Sequence, residues 1–120
     1  MSTLRPPLSP FDVMPTRREK LEAMLVADPT DSFLRYGLSQ ELDKEGAHDR
    51  SLELLVGLTR DAKPYVAAFF MGGQQLAKLG RINEARSILR DGIEEARRQG
   101  NAHAAGEMAE FLAGLGNLGE

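Results

Sequence analysis

Two stretches of this chain repeat one pattern: residues 32–58, SFLRYGLSQELDKEGAHDRSLELLVGL, and residues 66–92, VAAFFMGGQQLAKLGRINEARSILRDG. Several residues agree at the offset that separates the two starts. The matched pairs are Leu42 and Leu76, Gly46 and Gly80, Ser51 and Ala85, Leu55 and Leu89. Gly114 adds a third glycine at the same interval. A fixed period of this length, about 34 residues, is typical of an array of helix–turn–helix units.

Helical spacing and end signals predict about six helices and no strand. Thr16 and Glu19 match a capping box at the start of the first helix, and Asp28-Pro29 ends it. Apolar residues recur every three or four positions in the segments that follow, as they do along one face of a helix. Asn83 and Asn101 are the predicted N-caps of the fifth and sixth helices.

The two matched stretches resemble the tetratricopeptide repeat family, with units at residues 32–65 and 66–99. The second unit carries the family pattern of an aromatic, a helix-contact glycine, apolar residues and a turn glycine at Phe69, Gly73, Leu76, Gly80, Ala85 and Leu89. In the first unit Arg35 and Ser39 stand at the aromatic and glycine positions. The resemblance implies an all-α helix–turn–helix solenoid, a right-handed superhelical stack. An unrelated six-helix bundle is the alternative.

The ends of the chain extend this organisation. Residues 16–28 are the predicted half-repeat helix, and residues 101–113 the predicted capping helix, with Glu107 and Glu110 at core positions. The domain therefore spans residues 16–113. Residues 1–15 hold four of the six prolines and form a predicted disordered tail, unless Met14 is the true start. Residues 114–120 form a predicted glycine-rich tail.

The resemblance also implies a binding groove lined by the first helix of each unit. In this register the groove residues are Phe33, Tyr36, Gln40 and Lys44 in the first unit and Ala67, Phe70, Gln74 and Lys78 in the second. Steps of three and four place each set on one helix face. Two alternatives stay open: the aromatics fill the core of a small domain, and the lysines are solvated surface residues.

The function that follows from the resemblance is a protein–protein interaction module or adaptor, binding a peptide or helix of a partner in the groove. The alternative is a self-associating structural protein, a homo-oligomer formed through the terminal helix. In that case the contact would use apolar residues that we expect to be exposed: Met108, Phe111, Leu112 and Leu115.

Composition argues against other classes of function. A net charge of −3 disfavours a nucleic-acid partner, and the absence of cysteine removes thiolate chemistry. His48 and His103 have no set of further donors at ligand spacing in the sequence. No apolar run reaches the roughly 18 residues of a membrane span. The sequence therefore predicts a cytoplasmic protein that is not an enzyme, with no cofactor, no metal and no membrane partner.

Overall fold

The computed structural model describes residues 14–116, and every regular element in that range is an α-helix. The six helices are α1 (Arg17–Ala27), α2 (Ser32–Lys44), α3 (His48–Thr59), α4 (Val66–Lys78), α5 (Ile82–Arg98) and α6 (Ala102–Leu115). The prediction of an all-α, six-helix, repeat-like fold is thus confirmed for the described residues. Residues 1–13 and 117–120, which contain most of both predicted tails, lie outside them.

The repeat period in the sequence is also a period of the helices. Helices α2 and α4 begin at Ser32 and Val66, and α3 and α5 begin at His48 and Ile82, so both pairs are separated by the same offset. The turns also match, because Gly46 and Gly80 have φ angles of 84° and 79°. Only glycine adopts this left-handed conformation without strain, and it ends each first helix in the same way.

The third unit departs from this period, and Gly114 does not continue the series of turn glycines. Gly114 lies inside α6, and Gly116 takes the C-cap with a φ of 52°. Helix α5 has 17 residues where α3 has 12, and three residues follow it where six follow α3. The second helix of the second unit is five residues longer than that of the first, and the linker after it is three residues shorter. Helix α6 therefore begins two residues later than the repeat period predicts.

Each helix packs against its neighbours in the sequence, and α4 also contacts α6. Leu21, Leu55 and Leu89 stand one repeat period apart on α1, α3 and α5, and all three are buried. Helix α1 is therefore the structural counterpart of the second helix of each unit. It has a helix on one side, at α2, and none before it among the described residues.

The capping predictions have mixed outcomes. Thr16 and Glu19 form the reciprocal capping box at α1, and the Asn101 side chain accepts a hydrogen bond from the Ala104 N–H. Asn83 is not the N-cap of α5, because that helix already begins at Ile82. The Arg81 N–H closes the preceding turn on the Leu76 carbonyl, and the chain enters α5 directly afterwards.

Glycines allow α4, α5 and α6 to approach closely. A Cβ added at Gly73 would lie 2.6 Å from Leu89 Cγ. One added at Gly92 would lie 2.4 Å from Phe69 Cβ and 2.6 Å from Met108 Sδ. Because ordinary carbon contacts are about 3.5–4.0 Å, these positions exclude any larger residue without movement of the helices.

The first unit replaces two expected apolar contacts by polar ones. Arg35, at the aromatic position, turns its guanidinium to Asp61, with 2.7 Å between Nη1 and Oδ2. Ser39, at the glycine position, is fully buried, and its hydroxyl donates a 2.6 Å hydrogen bond to the Tyr36 carbonyl. The polar groups at both positions therefore have hydrogen-bond partners within the domain.

Candidate binding face on helices α2, α4 and α6

Three adjoining cavities open on the face formed by α2, α4 and α6, the first helices of the successive units. Their volumes are about 180, 440 and 480 Å³. They adjoin because they share wall residues: Phe70 lines two of them, Phe111 two, and Met71 and Gln74 two. We call this continuous surface the first-helix face.

The central cavity lies where the three helices meet. Tyr36 comes from α2, Ala67, Phe70 and Gln74 from α4, and Asn101, Ala104 and Glu107 from the start of α6. Because three helices contribute to its lining, the cavity is a product of the repeat packing. An aromatic lining with a few polar groups is the usual composition of a binding pocket.

The structure places the eight predicted groove residues unequally. Tyr36, Ala67, Phe70 and Gln74 line the central cavity, and Lys78 lines the adjoining one of about 480 Å³. Phe33, Gln40 and Lys44 line none of the three. Phe33 is 70% exposed, so it does not fill a core either. Lys44 is exposed and pairs with Glu41 at 3.2 Å, as a solvated surface lysine does.

Tyr36 serves both the core and the cavity. Its ring packs at 5.3 Å, centroid to centroid, on Tyr65, beside buried Leu55, Leu58 and Ala68. Burial raises the pKa of Tyr36 above the usual tyrosine value, with a smaller contribution from Tyr65. The groove and core interpretations of this aromatic are therefore not alternatives, because different parts of one side chain fulfil each.

At the α6 end the face combines aromatic rings with carboxylates. Phe70 and Phe111 meet edge to face with centroids 5.8 Å apart. Glu107 and Glu110 line the same cavity of about 440 Å³ as these rings. The expectation that the two glutamates occupy core positions is wrong, since both are exposed. The late start of α6 rotates them out of the core and onto the first-helix face.

A buried amide adjoins this surface. Gln75 is 3% exposed and lines the cavity of about 480 Å³ together with Met71 and Lys78. Its Oε1 lies 3.0 Å from the Ser51 hydroxyl. Its Nε2 has no hydrogen-bond partner among residues 14–116. The Ser51 hydroxyl has one hydrogen, and it donates that hydrogen to the Ser39 carbonyl at 2.6 Å; turning the Gln75 amide over would make Nε2 a donor to Ser51 Oγ.

Several residues that line the first-helix face were not predicted from the sequence. Phe111, Asn101 and Glu107 are absent from the predicted groove because that prediction used only the first helices of the two repeat units and treated the last helix as a cap. Met108 and Leu115, expected to be exposed for self-association, are instead buried, Met108 completely and Leu115 to 7% exposure. Phe111 and Leu112 are half-buried against the same core. The signal that locates them is the apolar spacing after Asn101, counted from the helix start rather than from the repeat.

A larger cavity of about 560 Å³ lies on the opposite side, between α3 and α5. Its rim carries charged residues from both helices, including Glu84, Glu95 and Arg98. These charges already have partners, because Glu95 pairs with Arg98 and Glu84 pairs with Arg81 at 2.7 Å. Arg60, Asp91 and Glu94 also line this cavity and form no ion pair within residues 14–116, so only part of its rim charge is neutralised.

Each histidine has a neighbouring carboxylate that the sequence spacing did not suggest. His48 Nδ1 lies 2.8 Å from Asp43 Oδ1, and His103 Nε2 lies 3.4 Å from Glu107 Oε1. Within residues 14–116, no group of three or more histidine or carboxylate side chains is placed to hold a metal ion.

Comparison with known proteins gives no relative for this fold. No protein-family model, no curated protein and no solved structure matches the chain. Among the described helices, none has the length and apolar character needed to cross a bilayer.

Proposed function

We propose that this chain is a tetratricopeptide-like interaction module that binds a peptide or helix of a partner protein on the first-helix face. One observation carries the proposal: three first helices converge on a cavity whose walls include Tyr36, Phe70 and Gln74. Half-buried aromatics beside polar donors are the usual anchors of protein recognition. The cytoplasmic location that the sequence predicts, and the absence of enzymatic activity, are parts of the same proposal.

A blocking substitution tests the proposal without damaging the core. Ala67 is exposed and lines the central cavity, so Ala67→Arg adds a long side chain in the binding region and leaves the buried residues in place. Ala23→Arg is the matched control, because Ala23 is an exposed helical alanine on α1, far from the cavities in the sequence of helices. Alanine and arginine have similar helix propensities, so both variants should stay folded.

The experiment is affinity capture from a lysate of the native cells with wild type, Ala67→Arg and Ala23→Arg, followed by titration of each purified partner. We expect a partner that wild type and Ala23→Arg retain and Ala67→Arg loses. Equal affinity of all three proteins for every recovered partner would exclude the first-helix face as the binding surface.

Phe70→Ala paired with Phe33→Ala gives a second, independent comparison. Phe70 lines two of the cavities, whereas Phe33 is 70% exposed on α2 and lines none of them. Loss of an aromatic anchor at a protein interface typically weakens binding by about 1–4 kcal/mol. We expect that loss for Phe70→Ala and none for Phe33→Ala.

Self-association is the second candidate, and the observation that favours it is at the other end of the chain. Met24 and Val26 of α1 are 54% and 85% exposed. Met24 stands one repeat period before Leu58, which is fully buried by the helices on both its sides. Met24→Glu should therefore convert an oligomer to a monomer in sedimentation velocity. A wild-type protein that sediments as a monomer at every concentration would exclude this candidate.

A further inference from the structure

The described helices begin and end with helices of opposite type. Helix α1 is the counterpart of the second helix of a unit, and α6 stands in the place of a first helix, so second and first helices alternate from α1 to α6. Among residues 14–116, no first helix packs before α1 and no second helix packs after α6. Each inner helix of a repeat array is covered by neighbours on both sides, so both end helices keep one uncovered face. A second copy placed head to tail would add α1 after α6 and continue the alternation.

The uncovered face of α1 is recognised by comparison with α5. Lys20 and Met24 stand two repeat periods before Ile88 and Gly92. Ile88 is half-buried and Gly92 is buried, and both lie against α4, the first helix that precedes them. Lys20 is exposed and Met24 is 54% exposed, because no described helix takes the place of α4 beside α1. The two side chains therefore mark where a preceding first helix would pack.

The uncovered face of α6 carries small side chains. Ala102, Gly106 and Ala113 are exposed at steps of four and seven residues, which places them on one side of the helix. Met108, on the other side, is completely buried in the core. A Cβ added at Gly106 would have no atom within 4 Å, so this side of α6 has room for a large side chain from outside. The exposed thioether chain of Met24 is of that kind.

The charges of the two faces agree with one register. Consecutive helices joined by a short turn run antiparallel, so a second helix that follows α6 runs antiparallel to it. If Met24 packs on Gly106 in this direction, Lys20 reaches Glu110, since Lys20 lies four residues before one contact residue and Glu110 four residues after the other. Neither Lys20 nor Glu110 forms an ion pair within residues 14–116. The two faces thus offer opposite, unpaired charges at facing positions, which favours this pairing over others.

We propose that copies of this chain associate head to tail, with α1 of one copy packed antiparallel on α6 of its neighbour, Met24 on Gly106 and Lys20 beside Glu110. This inference rests on the self-association candidate above and identifies its two surfaces. The contact is heterologous, because each copy contributes a different face, and it extends the array instead of closing a symmetric dimer. One helix pair is a small interface, so the association is weak and increases with protein concentration.

Complementation between two blocked variants tests this arrangement. Met24→Glu places a charge on the α1 face, and Gly106→Arg fills the open position on α6; both positions are exposed, so the core is unchanged. In sedimentation equilibrium from about 10 μM to 1 mM, we expect wild type to associate and each variant alone to stay monomeric. An equimolar mixture should form a dimer of the two variants and nothing larger, because it contains one intact face of each kind.

A control and a charge exchange make the test specific to the proposed register. Val26→Glu is the control, since Val26 is 85% exposed on α1 but stands two repeat periods before Glu94, which is exposed in α5. Val26 therefore lies off the contact, and the variant should associate as wild type does. Lys20→Glu alone and Glu110→Lys alone should each weaken association about two- to tenfold, and the two together in one chain should restore it.

The outcomes separate this inference from the candidate on which it rests. Association of Gly106→Arg alone at wild-type strength, or a mixture of folded variants that stays monomeric, would overturn the head-to-tail contact and leave self-association through another surface. Wild type that stays monomeric throughout, as it would if another segment of the chain covered α1, would overturn both. None of these results bears on peptide binding, which Ala67→Arg tests separately.

Discussion

Gly92→Ala tests the position where an added methyl group meets its neighbours most closely among the described glycines. Gly92 of α5 faces Phe69 of α4 and Met108 of α6, so an added methyl group would lie 2.4 Å from Phe69 Cβ and 2.6 Å from Met108 Sδ. Phe69 is 5% exposed and Met108 is fully buried, so neither can swing into solvent. Phe69 Cβ is also fixed to its backbone, which means that α4 itself must move to make room.

Two opposing effects set the magnitude. Alanine favours a helix interior over glycine by about 0.5–1 kcal/mol. Overpacking a filled core costs about 1–3 kcal/mol, and more where the neighbour is rigid. We expect the overpacking to prevail and Gly92→Ala to lower the free energy of unfolding by about 1–2 kcal/mol, which for a domain of this size corresponds to a fall in Tm of about 4–8 °C per kcal/mol.

Gly106→Ala is the matched control, because it makes the same chemical change in a helix with no atom within 4 Å of the added methyl. It should stabilise the protein by about 0.5–1 kcal/mol through helix propensity alone. Urea unfolding followed by circular dichroism measures both variants. A Gly92→Ala protein as stable as Gly106→Ala would refute the close approach of α4, α5 and α6 at this position.

Three further predictions concern the turns, the first helix and the binding face. Gly80→Ala should destabilise the protein by about 1 kcal/mol because the φ angle of Gly80 is 79°. Gly114→Ala should stabilise it slightly, because Gly114 is helical and no atom lies within 4 Å of an added methyl group. If thermal melts gave the reverse order, Gly114 and not Gly80 would be the turn glycine. Thr16→Ala should cost about 1 kcal/mol by breaking the capping box with Glu19, and urea unfolding indistinguishable from wild type would contradict it. With Tyr65→Phe leaving Tyr36 as the one tyrosine, phenolate absorbance should titrate above about pH 10, the ordinary value, because burial raises the pKa of Tyr36. Because the folded state raises this pKa, the contribution of Tyr36 to stability is present below about pH 10 and is lost as the pH rises through its folded pKa. A phenolate that forms at or below the ordinary tyrosine pKa would refute the burial of Tyr36.

The sequence predicts the first two units well because their signals are local. A turn glycine and the apolar positions around it determine where each helix ends, and Gly46 and Gly80 have neighbours that agree at the same offset. The positions that differ between units required the structure. Arg35 stands where Phe69 stands one repeat later, and only the fold shows that its guanidinium reaches Asp61 across 26 residues of sequence.

The candidate site is half predictable for the same reason. Tyr36, Ala67, Phe70 and Gln74 follow from the register of α2 and α4, which the repeat defines. Phe33 follows from that register too, yet it is 70% exposed and lines none of the cavities, although Ala67 at the same place in α4 lines the central one. Sequence periodicity gives the angular position of a residue around its helix, and the extent of the neighbouring helices decides whether that position is covered.

The length of α5 determines the chemistry of the face. Had α6 followed the repeat period, Ala104, Met108 and Leu112 would stand where Phe70, Gln74 and Lys78 stand in α4, and the face would end in an apolar surface. The delay of two residues instead turns Met108 into the core against Gly92 and brings Glu107 and Glu110 to the cavity.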